Sequence, residues 1–178
     1  MSLTPLRFEA WDMLNSTLVA PDGVAEFTVT TPQTYYMQRH TIVTSLTGAR
    51  AVIKWHPKTF VIGGVERPWK ELKKVVGGPL SSKWRIWKWS EPSYTVKYAR
   101  DADGQMRYAI RQTREDGKWQ SDTEAAGTDL ARLTPVIDHF MRPPDNALMY
   151  LSPKLEDKDR LFLVMIMLAS ETRRRQSD

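Results

Sequence analysis

The chain reads as a mainly β protein: a single antiparallel β-barrel wrapped around a buried hydrophobic carboxyl-terminal α-helix. Three observations predict this. From Leu6 to Tyr98 the apolar residues fall in short, often alternating runs with little sign of a 3.6-residue period. The runs are separated by turn dipeptides that supply positive φ. The chain then changes character and ends in an apolar run, Leu161 to Ala169, with acid before it and base after it.

The composition agrees. With 178 residues, 41% of them hydrophobic and 26% charged, the chain is one ordinary domain, able to bury a core of its own. Its lack of cysteine excludes a disulfide scaffold, thiolate zinc, an iron–sulfur cluster and a cysteine nucleophile. Met1 to Trp11 carries no basic stretch followed by an apolar one, so the expectation is a cytoplasmic location, membrane-peripheral or nuclear as variants, with Asn15-Ser16-Thr17 an unused sequon.

The strands expected in order are Leu6 to Ala10, Ser16 to Val19, Ala25 to Thr30, Tyr35 to Thr44, Arg50 to His56, Thr59 to Ile62, Trp84 to Trp89 and Tyr94 to Tyr98. Met106 to Gln112 and Lys118 to Ser121 follow. The hairpin turns are Asp22-Gly23, Thr47-Gly48, Gly63-Gly64, Asp103-Gly104 and Asp116-Gly117. Asp122 to Thr128 reads as a loop, and Asp129 to Phe140 as a strand or a short helix interrupted at Pro135. Pro143-Pro144 demands another loop, and Ala147 to Leu151 is a last strand.

The closing helix is expected over about residues 156–172. Ser152-Pro153 offers a cap with proline at the first helical position, Glu156, Asp157 and Asp159 lie in the first turns, and Arg173 to Arg175 close it. Its apolar run has no polar face, so it does not suit a membrane surface. It is also about half of the roughly 20 residues a membrane span needs. The simplest remaining arrangement surrounds it on all sides, and a sheet of hairpins does this by curling around it.

A set of residues distributed over most of the chain resembles the tubby carboxyl-terminal barrel shared by phospholipid scramblases and LURP-one-related proteins, and more closely an uncharacterised tubby-like family of mushroom-forming fungi. They are Leu14 to Leu18 with Asp22-Gly23, Thr28 to Pro32, Thr41 to Val43, Ile53 to His56, Val61 to Gly64, Asp103-Gly104 through Tyr108, Asp129 to Ala131, and Asp159 to Arg175. The resemblance implies the barrel, held as one domain over residues 1–178. It hints at lipids through the phosphoinositide-binding and scramblase relatives, and it implies no reaction. None of those relatives' ligand residues maps onto this chain.

Charge is concentrated. Glu66 to Arg100 holds nine basic residues against three acidic, a net +6 within a chain whose net charge is +5. Lys70, Lys73, Lys74, Lys83, Arg85 and Lys88 are interleaved there with tryptophans, of which Trp87 and Trp89 are candidate ligand contacts. Such a face attracts phosphate, and indoles suit a membrane interface. The competing reading is an ordinary strand on which one tryptophan set, Trp84 or Trp87 and Trp89, faces the core.

The expected function is therefore a non-enzymatic module that engages anionic phospholipid or phosphoinositide through this face. The alternatives are a protein-interaction or self-assembling module, including a homo-oligomer, and a small-molecule enzyme whose groove uses a histidine base. Nucleic acid ranks behind lipid as a partner. The catalytic candidates are His56, His139 and His40, which lack metal-ligand spacing, so no metal or other cofactor is expected. Asp101 to Gly104 resembles the start of a calcium loop, yet its glycine comes at the fourth position and no glutamate follows at the twelfth, so it reads as a turn. No P-loop, nucleophile elbow or GxGxxG occurs. Met37, Met106, Met141, Met149, Met165 and Met167 are read as core fillers.

Overall fold

The computed structural model describes residues 2–32, 39–76, 84–101, 103–113, 129–136 and 145–176. Among these, thirteen strands form one antiparallel sheet. The first seven make a meander: β1 (Thr4–Phe8), β2 (Ser16–Val19), β3 (Ala25–Thr30), β4 (His40–Ser45), β5 (Arg50–Lys54), β6 (Thr59–Ile62) and β7 (Val65–Pro68). A one-turn helix, α1 (Trp69–Leu72), leads into β8 (Lys73–Val76). Then come β9 (Trp84–Trp87), β10 (Tyr94–Arg100), β11 (Met106–Gln112), β12 (Ala131–Thr134) and β13 (Leu148–Leu151), before the closing helix α2 (Asp157–Arg175).

The strand order, β7-β6-β5-β4-β3-β2-β1-β13-β12-β11-β10-β9-β8, is fixed by the pairing of the first strand with the last. Thr4 lies opposite Leu151 and Leu6 opposite Met149. The sheet thus ends at β7 and β8, two strands that the chain itself joins through α1. No ladder pairs those two ends among the described residues.

Alternation sets the faces. In β4, Thr41, Val43 and Ser45 are buried while His40, Ile42 and Thr44 are less so, the period-two signature of a sheet covered on one side. The same inner face carries Leu6, Phe8, Phe27, Ile53, Phe60, Tyr108 and Ile110. The turns follow their chemistry: Gly23 and Gly48 adopt φ of +85° and +84°, a region costly to residues with a Cβ.

Against this face lies α2. Leu161 through Ala169 are each at most 1% exposed, so the helix is covered around its whole circumference. Its contacts come from well-separated strands. Phe162 meets Phe60 of β6 at 6.2 Å and Tyr94 of β10 at 6.2 Å between ring centroids. Arg160 pairs with Glu26 of β3 at 2.8 Å, and Asp157 accepts a hydrogen bond from Ser45 of β4 at 2.9 Å. The fold is therefore mainly β, one large antiparallel sheet with a carboxyl-terminal helix packed on it. No helix among the described residues is long and apolar enough to cross a membrane.

Several expectations need correction. The helix starts at Asp157 rather than after Ser152. Its N-cap is Glu156, which makes no side-chain cap, because Ser152 Oγ accepts from the Lys154 amide in a preceding turn at 3.4 Å. It also runs to Arg175, beyond Thr172. Residues 131–134 form a strand, which decides the ambiguous segment as far as it is described. The short elements β7, α1 and β8 were not expected. Met106 is 37% exposed at the start of β11 and fills no core, whereas Met149, Met165 and Met167 are fully buried. The expected strand 118–121, the Asp116-Gly117 turn, Met37 and Met141 lie outside the described residues.

Candidate functional site

The basic window folds as the far end of the sheet. In the β8–β9 ladder Lys73 lies opposite Trp87, Lys74 opposite Ile86 and Val75 opposite Arg85. Because side chains alternate, Lys73 and Arg85 share the inner face with Trp87, while Lys74 projects from the other face. The lysine pair Lys73-Lys74, adjacent in sequence, is thereby split between two faces. Burial of β8 is light: it is the terminal strand, and Val75 is 55% exposed.

Trp87 and Trp89 are buried, at 2% and 4% exposure. Trp87 stacks on Phe60 at 5.5 Å with an interplanar angle of 25°, and Trp89 packs against Phe162 at 5.9 Å. Their indoles are core groups, and Trp87 also forms a plate beneath the Lys73 ammonium, 5.5 Å from its ring centroid. Of the two tryptophan sets weighed on this strand, the core-facing one is thus Trp87 with Trp89.

The cations of the window divide into two groups. Arg67 donates to the Trp89 carbonyl at 2.6 Å and lies over that indole, Lys88 pairs with Glu91, and Arg100 donates to the Gly104 carbonyl at 2.9 Å. Those three hold loops and strand ends. Lys70, Lys73, Lys74 and Arg85 have no acidic partner among the described residues. Lys83 lies outside them.

Lys73 is the centre of the second group. Burial lowers its pKa first, and the like charges of Arg173, Arg85 and Lys58 lower it further, from 10.5 to about 8. Four elements contribute: the turn after β5, β8, β9 and the end of α2. Lys58 is held in that turn by its carbonyl, which accepts from the Trp69 amide at 2.9 Å. Cations gathered so closely repel each other, and a phosphate or carboxylate placed among them relieves the repulsion.

The histidines are arranged differently from what their spacing indicates. His40 and His56 line one cavity of about 280 Å³ on the outer face of the β4–β5 hairpin. Arg39, Arg50 and Lys54 complete its polar rim. Among the described residues that line it there is no carboxylate or hydroxyl side chain, so the cavity wall itself offers no acid to orient an imidazole as a general base. His139 lies outside the described residues. No group of three or more metal-ligating side chains occurs among the described residues.

Two buried charge clusters escaped the sequence reading. Glu171, 2% exposed near the end of α2, receives Arg174 at 2.8 Å and Arg175 at 2.9 Å. Asp129, 4% exposed, is held between Arg111 and Arg132, each at 2.5 Å. The i, i+3 and i, i+4 spacing of Glu171 to the arginines was a visible signal for the first. Nothing in the local sequence marks the pairing of Arg111 with Asp129.

No protein-family model matches the chain, and neither a curated protein nor a solved structure matches it. The functional reading rests on the geometry.

Proposed function

We propose that this protein is a non-enzymatic binding module that engages anionic phospholipid, phosphoinositides included, through Lys73, Arg85, Lys58 and Arg173, with Lys70 and Lys74 beside them. The convergence of the first four from separate elements carries the reading. Surface lysines scattered for solubility stay apart, whereas Lys73 is depressed first by its burial and then by the like charges of Arg173, Arg85 and Lys58. Trp87 contributes as the support under Lys73, and Lys88 belongs to the same face but is partly neutralised by Glu91.

The reading also takes the sheet to be a tubby-like barrel closed across α1. The stack of Phe60 on Trp87 supports closure, since it joins strands next to opposite ends of the sheet. A helix covered on every side supports it too. Its location is then cytoplasmic and membrane-peripheral.

Co-sedimentation with neutral, phosphatidylserine and phosphoinositide vesicles at low and physiological salt tests the function. Binding that requires anionic lipid, weakens with salt and is lost in Lys73→Glu/Lys74→Glu is expected. Binding indifferent to lipid charge, or absent, contradicts it. Far-UV circular dichroism of the double variant verifies that it is folded.

A further inference from the structure

We infer that the cavity on the outer face of the β4–β5 hairpin is a binding site for a small, soluble, multiply charged oxyanion, a polyphosphate or a polycarboxylate. It is separate from the Lys73 cluster and does not depend on the lipid reading.

The register builds it. His40 lies opposite Lys54 and Ile42 opposite Val52, so these four share the outer face, while Thr41, Val43, Ala51 and Ile53 point into the core. Ile42 and Val52 form an apolar floor. Around it stand Arg39 and His40 from one side of the hairpin, and Arg50, Lys54 and His56 from the other. The resulting space of about 280 Å³ is near the lower end of small-molecule sites, which fits a compact ligand and excludes a macromolecular segment.

Its electrostatics select the sign. Cationic or protonatable groups directly opposite each other on neighbouring strands are unfavourable, and outer sheet faces ordinarily relieve this by cross-strand pairing with acids. Here the nearest relief is Glu66, which binds the Lys54 ammonium at 2.6 Å and accepts from Thr59 Oγ1 at 2.7 Å. That neutralises Lys54 and leaves Arg39 and Arg50, neither with an ion-pair partner among the described residues. Two guanidinium forks and the His56 imidazole at one rim present several donors to an oxyanion with more than one charged group. A single carboxylate engages only one side of such a rim.

Isothermal titration of the full chain with pyrophosphate, citrate and acetate tests this, using Arg50→Gln, His56→Gln and, on the exposed face of β1 away from both cationic sites, Arg7→Gln. The expected result is saturable binding of pyrophosphate or citrate, at least tenfold weaker in both cavity variants and unchanged in Arg7→Gln, with acetate much weaker. The inference is overturned by no saturable binding by either polyanion, by equal weakening in Arg7→Gln and Arg50→Gln, or by no loss in the cavity variants. Phosphatidylserine vesicles that bind through Arg50 while pyrophosphate does not would also overturn it, by assigning the cavity to a lipid surface.

Discussion

Phe60 of β6 stacks on Trp87 of β9, ring centroids 5.5 Å apart, and so joins two strands that stand next to opposite ends of a thirteen-strand sheet. Trp69 of α1 adds edge contacts to both, at 5.2 Å to Phe60 and 6.2 Å to Trp87. Aromatic packing connects the two ends of the sheet where, among the described residues, no backbone ladder does.

Truncating this contact therefore costs more than an average core change. Trp87→Ala is expected to destabilise the protein by about 3–5 kcal/mol, the range for losing a large buried aromatic ring. Urea unfolding followed by tryptophan fluorescence measures it; a loss under about 1 kcal/mol would mean the two ends do not depend on the stack.

The second prediction concerns the covered helix. Ile166 is fully buried, so Ile166→Asp places a carboxylate where no partner exists for it, costing several kcal/mol, and is expected to yield unfolded or insoluble protein. Circular dichroism decides this, and a folded, soluble variant would refute the buried helix.

Glu171 gives the third. Burial pushes its carboxyl up, but hydrogen bonds from Arg174 and Arg175 outweigh burial and hold it below the usual carboxylate range. A depressed carboxylate stabilises the fold above its unfolded pKa, near 4.5, and that contribution is lost as pH falls through the lower folded value. Wild-type stability should drop on acidification below about pH 4.5. Glu171→Gln should be less stable at neutral pH by about 1.5–3 kcal/mol, since charge-assisted hydrogen bonds from two partly exposed arginines are lost, and its stability should vary less with acid. Equal acid sensitivity in the two proteins would sink this account.

How much of this was legible beforehand depended on periodicity. Ser16–Val19, Ala25–Thr30, Thr59–Ile62 and Met106–Gln112 were readable to the residue, because turn residues or polar stretches bound them on both sides. The helix was readable because nine apolar residues with no polar face must be buried somewhere. Val65–Pro68 and Lys73–Val76 were not, since terminal strands lack the alternation that a covered face imposes: Val65, Glu66 and Arg67 are all exposed. The Lys73 cluster was legible only as a density of charge. Its members Lys58 and Arg173 lie outside the basic window and are brought in by the β5–β6 turn and the helix end, contacts set by tertiary packing. Likewise His40 and His56 meet because of hairpin register, which spacing alone does not reveal.

The fourth prediction is a titration. Lys73 should be readily methylated or acylated near pH 8, since it loses its proton about there rather than near 10.5. A lysine lowered in the folded state destabilises the fold while charged, so stability should rise with pH between about 8 and 10.5, and Lys73→Met should flatten that rise. Carbon-13 NMR of reductively methylated protein reads the value; a Lys73 titrating near 10.5 would show that the cations do not converge.

The account's central claim is that the cluster around Lys73 receives an anionic membrane. Partition of the wild type and of Arg85→Gln onto phosphatidylserine vesicles, measured across ionic strength, tests it most directly. The prediction is binding that falls steeply with salt in the wild type, with a weaker and shallower dependence once Arg85 is neutralised. Identical curves for the two proteins, or no partition at low salt, would contradict it.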